Sequence, residues 1–112
     1  DAEEAHSRNT VLNDRFIRLV AKYHQSERSV QFYADKLCIS TKYLAKVIKS
    51  ASGQTPSYWI DSYVILEAQN LLRYSSDTIK QIVYKLNFSN QSVFQKFFKA
   101  HTGMTPLEYR KK

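Results

Sequence analysis

Apolar residues recur along this chain at helical intervals, and no stretch alternates convincingly with a period of two. Leu12, Phe16, Leu19, Val20 and Tyr23 mark one face of a first helix, with Arg15, Arg18 and Lys22 mostly off that face. Residues 1–9 are polar and are expected to form a flexible linker remnant. Ser29 is placed to cap a short helix carrying Val30, Tyr33, Ala34 and Leu37. The turn Cys38-Ile39-Ser40 follows, with Cys38 expected as a small buried apolar residue. Ser40 or Thr41 caps the next helix, whose buried face is Leu44, Val47 and Ile48 and whose end is Gly53 in a left-handed conformation. Thr55-Pro56 then starts a long helix to about Tyr74, with Trp59, Ile60, Tyr63, Val64, Leu71 and Leu72 available for packing. Ser75-Ser76-Asp77 breaks it. Ile79, Ile82, Val83 and Leu86 predict another short helix, Asn87-Phe88-Ser89 a turn, and Val93, Phe94, Phe97 and Phe98 the buried side of a sixth. Gly103 stops that helix, and Thr105-Pro106 opens a last one holding Leu107 and Tyr109. The predicted fold class is all-α, with seven helices and no sheet.

This pattern occurs twice. Val30, Tyr33, Ala34 and Leu37 recur as Ile79, Ile82, Val83 and Leu86, 49 residues later. After a one-residue lengthening of the turn, Leu44, Lys46, Val47, Ile48, Lys49, Gly53, Thr55 and Pro56 return as Phe94, Lys96, Phe97, Phe98, Lys99, Gly103, Thr105 and Pro106. Apolar matches alone arise easily by chance, but the repeated Gly-x-Thr-Pro together with both lysines does not. Each unit is a short helix, a tight turn and a second amphipathic helix, the plan of a helix-turn-helix. Ala34 and Val83 are small enough for the second helix to cross closely, and Ile39 and Phe88 plug the angle between the two. The expected organisation is a first helix-turn-helix subdomain over 10–56, a linker helix over 57–75 and a second subdomain over 76–112. A plain helical hairpin would satisfy the same apolar pattern in any one unit.

Charge narrows the function. Seventeen Lys and Arg face ten Asp and Glu, and three of those acids (Asp1, Glu3, Glu4) stand among the first four residues. Residues 36–60 and 78–107 contain no acid at all. Such a surface suits a polyanion, because an acid facing phosphate is repelled. In a helix-turn-helix the N-terminal part of the second helix enters the major groove. The residues offered there are Thr41, Lys42, Ala45, Lys46 and Lys49 in the first unit. In the second they are Asn90, Gln91, Ser92, Gln95, Lys96 and Lys99. Lys reaches guanine O6 and N7, Gln and Asn pair with adenine, and short hydroxyls suit base or phosphate. A solvated polar face is an equal alternative for a single lysine, and a weaker one for Lys46 and Lys96, which recur at equivalent repeat positions. The long helix, some 18 residues at about 1.5 Å each, spans roughly 27 Å, comparable with the roughly 34 Å between successive major grooves on one face of DNA. One chain would then read two adjacent grooves of an asymmetric site in double-stranded DNA.

Other classes fit less well. A single cysteine excludes an internal disulfide and a multi-thiolate metal site. His6, His24 and His101 have no metal-ligand spacing, and no phosphate loop or nucleophile elbow occurs, so neither an enzyme nor a cofactor is expected. His101 suits a phosphate contact or plain exposure. No apolar run approaches 18 residues and Trp59 and the phenylalanines fit core positions, which argues against a membrane partner and for a cytoplasmic, nucleoid-associated protein. The chain begins with Asp rather than Met, as expected of a piece of something longer. The main alternative is a helical protein-interaction module that contacts RNA polymerase and uses DNA secondarily. Tyr58, Tyr74 and Tyr84 would serve it if exposed, although partial burial is expected of them.

From about residue 10 onward the sequence resembles the DNA-binding domain of the AraC (AraC/XylS) family of bacterial transcription regulators. The most specific part is LNFSNQSVFQKFFKAHTGMTPLEYR at residues 86–110, with its turn, cap, aromatic-Phe-Lys core, Gly-x-Thr-Pro and closing Tyr-Arg. The resemblance implies two helix-turn-helix subdomains joined by a long linker helix. It also implies base contacts at Lys42, Ala45 and Lys46, and at Gln91, Ser92, Gln95 and Lys96. An upstream sensor or dimerisation domain is implied for the whole protein. Asn87 stands where the family usually has Gly, Lys46 and Lys96 replace a frequent Arg, and Val64 occupies a linker position that is often Arg.

Overall fold

The computed structural model describes residues 2–112. Among the described residues there are seven helices and no strand: α1 (Ala2–Tyr23), α2 (Val30–Lys36), α3 (Thr41–Ser52), α4 (Pro56–Tyr74), α5 (Ile79–Lys85), α6 (Gln91–Thr102) and α7 (Pro106–Lys111). Their ends follow local chemistry. Ser40, Thr78, Asn90 and Thr105 each accept a hydrogen bond from the backbone N–H three residues on, satisfying an orphan donor of α3, α5, α6 and α7. Gly53 and Gly103 close α3 and α6 with φ of 81° and 79°, a conformation that Gly adopts without Cβ strain.

The chain forms two compact units that divide within α4, one ending at Tyr63 and the other spanning Val64–Lys112. In the first, Phe16 and Val20 of α1, Tyr33, Ala34 and Leu37 from α2 and its end, Leu44 and Ile48 of α3, and Ile60 of α4 form a fully enclosed core. Phe16 meets Tyr33 edge to face at 5.8 Å, and the Tyr33 hydroxyl donates to the Glu27 carbonyl at 2.7 Å. Burial pushes that phenol up to about 12, with the Glu27 charge adding and Arg28 opposing. In the second unit the core is Ala68 and Leu72 of α4, Ile82, Val83 and Leu86, and Phe94 and Phe98 of α6. Arg110 ties α7 to the end of α4, its guanidinium donating to the carbonyls of Leu71, Leu72, Ser75 and Asp77.

Several residues depart from the sequence expectation. Of the proposed linker remnant 1–9, residue 1 lies outside the described residues, while residues 2–9 are the first turns of α1. Ala2, Glu3, Glu4, Ala5 and Arg8 include good helix formers, and Glu3 and Glu4 complement the positive end of the helix dipole. Apolar periodicity could not register a helix that leaves its sides exposed. Cys38 is exposed rather than buried, because it sits at the apex of the turn with φ 58° while Ile39 packs against the core. Val93 is 44% exposed and is not on the buried side of α6, which is formed by Phe94 and Phe98. Leu107 also faces outward. Tyr74 and Tyr84 are exposed at 79% and 86%, so partial burial does not account for them, whereas Tyr58, 47% exposed, is partly covered, its ring meeting Trp59 edge to face.

Candidate nucleic-acid interface

Each unit builds its outward helix with the same set of hydrogen bonds. In the first turn, Leu37 N–H donates to Tyr33 O, Cys38 N–H to Asp35 O and Ile39 N–H to Ala34 O. In the second, Leu86 donates to Ile82, Asn87 to Tyr84 and Phe88 to Val83. Every partner is shifted by 49 residues, whereas the caps Ser40 and Asn90 differ by 50, so the inserted residue is Ser89. Asn87, like Cys38, has positive φ (56°), which its short amide side chain tolerates. The far ends match as well. The Ser52 hydroxyl donates to Ile48 O and accepts from Gln54 N–H, and the Thr102 hydroxyl does the same with Phe98 O and Met104 N–H.

These caps fix which side chains point outward. On α3, Lys42, Ala45 and Lys46 are exposed and Thr41 is half-buried. On α6, Gln91, Ser92 and Lys96 are exposed and Gln95 is half-buried. Positions 42, 45 and 46 therefore share one exposed face, as do 91, 92, 95 and 96. The other expected contacts have local work. Asn90 Oδ1 accepts from Val93 N–H at 2.9 Å and so acts as the α6 cap. Lys49 Nζ donates to Gly53 O at 3.0 Å, at the opposite end of α3 from its first turn. Lys99, at the matching place on α6, is exposed and helps hold the Glu108 carboxyl below its ordinary value. The main cause there is hydrogen bonding from Thr105, whose N–H donates to Glu108 Oε1 at 2.9 Å. His101 Nδ1 donates to Phe97 O and its ring lies 4.5 Å from the Phe97 ring, so it is held against its own helix.

Sequence reasoning missed one pair. Tyr43 and Val93, at equivalent repeat positions, are 46% and 44% exposed in the first turn of α3 and α6. Each puts apolar surface beside the polar face. Helical projection sets Tyr43 close to buried Val47, but it lies one turn earlier, and that position along the helix was the available signal.

A family profile described as a helix-turn-helix domain matches residues 33–112. The chain belongs to the AraC-type helix-turn-helix family. That family consists of DNA-binding transcription-regulator domains and is not an enzyme family. This AraC-type domain is 29% identical over 77 residues to the HTH-type transcriptional activator RhaS of Escherichia fergusonii, covering 69% of this chain and 28% of that protein. The chain thus spans little more than a quarter of the length of that relative. Among solved structures it is similar to a transcriptional regulator with an AraC-type DNA-binding domain from Chromobacterium violaceum. There the TM-score is 0.79 at 23% identity, with 94% of each chain covered. It is also similar to the DNA-binding domain of AdpA, a global transcriptional factor, in complex with a target DNA. In that case the TM-score is 0.78 at 19% identity, covering 88% of this chain and 89% of that one. These likenesses establish the two-unit helix-turn-helix fold. No helix of the AraC-type domain is long and apolar enough, among the described residues, to cross a membrane.

Proposed function

We propose that this AraC-type domain reads an asymmetric site in double-stranded DNA, with α3 and α6 entering adjacent major grooves to position a transcription regulator. The observation that carries the reading is the pair of capped, acid-free recognition helices with different outward faces, Lys42-Ala45-Lys46 on α3 and Gln91-Ser92-Gln95-Lys96 on α6. The lysines suit guanine and phosphate, and the amides suit adenine. Ala45, together with exposed Tyr43 and Val93, supplies apolar contact of the kind a thymine methyl group takes. Thr41 and Asn90, at the helix starts, suit phosphates, whereas Lys49 and Lys99 lie far along their helices and contribute mainly to the general field.

Lys96→Ala is expected to weaken binding to the preferred site by roughly 1–3 kcal/mol and to relax one base position. Binding of both proteins to a panel of single-base site variants checks this. Equal weakening on every sequence would make Lys96 a phosphate contact. With roughly six phosphates engaged, affinity should fall about a thousandfold between about 50 and 200 mM salt. Binding that survives this change would remove DNA as the primary partner.

A second reading concerns RNA polymerase. Tyr74 and Tyr84 are among the most exposed large apolar side chains, at 79% and 86%. They suit a protein partner engaged while DNA is bound. In the whole protein, the regulator is proposed to act in the cytoplasm at the nucleoid and to carry a sensor or dimerisation domain upstream of this one.

A further inference from the structure

The strongest charged surface outside α3 and α6 is on α1. Arg8, Arg15, Arg18 and Lys22 follow spacings of seven, three and four residues, so all four fall on one side of the helix, and all are exposed. Two acids border this stripe, Glu4 one turn before Arg8 and Asp14 one turn before Arg18, against its four cations. From Arg8 to Lys22 the stripe runs roughly 21 Å. Arg8 belongs to it because residues 2–9 are helical. At its lower end a shallow groove of about 260 Å³ is floored by Leu19 and Leu37 and rimmed by Arg15, Arg18, Lys22 and Lys36. The cationic heads there have aromatic support, Lys22 Nζ lying 5.2 Å and Lys36 Nζ 5.4 Å from the centre of the Tyr23 ring. At the upper end Arg8 and Tyr43 line a second groove together with Lys46 of the α3 reading face. The stripe and that face are therefore continuous within the first unit.

We propose that α1 is a second DNA contact, in which Arg8, Arg15, Arg18 and Lys22, prolonged by Lys36, bind the phosphate backbone beside the groove that α3 enters. This rests on the DNA-reading function proposed above. Charge complementarity selects the occupant: a row of exposed cations that begins at a base-reading residue matches a phosphate strand leaving the groove. A second copy of α1 would be repelled. An acidic membrane would favour a run of large apolar side chains along the same side, where only exposed Val11 and half-buried Leu19 stand.

The test compares the domain with a variant carrying Arg15→Gln, Arg18→Gln and Lys22→Gln together. Gln keeps helix propensity, and circular dichroism confirms that the fold is retained. On the selected site, the variant's plot of log affinity against log salt should be shallower by about 2.7, at about 0.9 for each phosphate no longer neutralised. Over about 50 to 200 mM salt, wild-type affinity would then fall about fortyfold more steeply than that of the variant. Base preference should be unchanged, and Arg15→Lys with Arg18→Lys should keep the wild-type slope. A duplex trimmed to the α3 and α6 blocks should erase the difference. Equal slopes for wild type and triple variant, with the motif intact, would overturn this inference while leaving the DNA reading in place. Weaker binding to phosphatidylserine vesicles without any change in DNA slope would overturn it in favour of a membrane. Failure of the wild type to select any motif would remove the reading beneath both.

Discussion

The two units use one backbone plan with different side chains. The hydrogen bonds of the turns and of the α3 and α6 caps repeat bond for bond, although Ser29 makes no side-chain cap bond where Thr78 forms a capping box with Gln81. Yet positions 39, 44, 47 and 48 are Ile, Leu, Val and Ile, while their partners 88, 94, 97 and 98 are all Phe. The first unit takes its aromatic packing from elsewhere, through Phe16, Tyr23, Phe32 and Tyr33. The second takes it from a chain of rings running Phe88, Phe94, Phe98 and Tyr109. Trp59 and Tyr109, also equivalent, differ in the same manner: the indole N–H donates to Ser52 Oγ at 2.9 Å, whereas Tyr109 packs on Phe98. The leading helices are finished differently too. His24 Nδ1 reaches the Val20 and Ala21 carbonyls of its own helix, but the carbonyls at the end of α4 are met by Arg110 from 38 residues away. Interior composition can therefore drift while the turns and the caps of α3 and α6 stay fixed. The outward faces drift as well, α3 offering charge and α6 mainly amides and a hydroxyl.

The aromatic core gives the largest expected contrast. Phe94→Ala should destabilise the second unit by about 3–5 kcal/mol, and Leu44→Ala the first by about 2–5, because each leaves a cavity in a fully buried site. Urea unfolding of both variants, followed by Trp59 fluorescence and by far-ultraviolet circular dichroism, checks the order. A loss under about 1 kcal/mol for Phe94→Ala would mean that the ring chain is not the core. Next is Arg110→Met, expected to cost about 2 kcal/mol in the second unit by stripping donors from part-buried carbonyls. Its counterpart in the first unit, Ile60, makes no such bond, so the comparison fails if the variant melts like wild type.

The turns should separate by less. Cys38→Gly is expected to stabilise the first unit by up to about 1 kcal/mol, since a residue with a Cβ is strained at φ 58°. Asn87→Gly should change the second unit by less, because Asn tolerates that region. Equal shifts in melting temperature would show that the two turns are equally relaxed. The smallest effect belongs to Glu108, which completes a capping box with Thr105. Its carboxyl is held below the ordinary 4.5, so the contribution is present above that pH and is lost as pH falls through the lowered value. Glu108→Gln should flatten this acid step in a stability-versus-pH series. The first unit has Tyr58 at the equivalent place and should show no such step.

Most of this fold was legible in the sequence because caps, glycines and apolar spacing act locally. Ser40, Gly53, Thr55-Pro56 and their partners mark helix ends through bonds to residues a few positions away. Illegible features depend on contacts far along the chain or on fine rotational placement. Arg110 serves carbonyls 33 to 39 residues away, which no local pattern reveals. Cys38 and Val93 are apolar residues next to buried ones, and only the turn apex and the first-turn position turned them outward. The exposure of Lys42, Ala45, Lys46, Gln91, Ser92 and Lys96 was legible from the helical spacing. The tether of Lys49 and the apolar patches of Tyr43 and Val93 depend on side-chain placement that no local pattern carries.

The most direct test is selection of this domain's preferred sites from random duplex DNA. Two dissimilar blocks about one helical turn apart are predicted, with Lys46→Ala altering one block and Lys96→Ala the other. A palindromic motif, a single block, or no motif at all would contradict the claim that α3 and α6 are two different reading heads on one repeated scaffold.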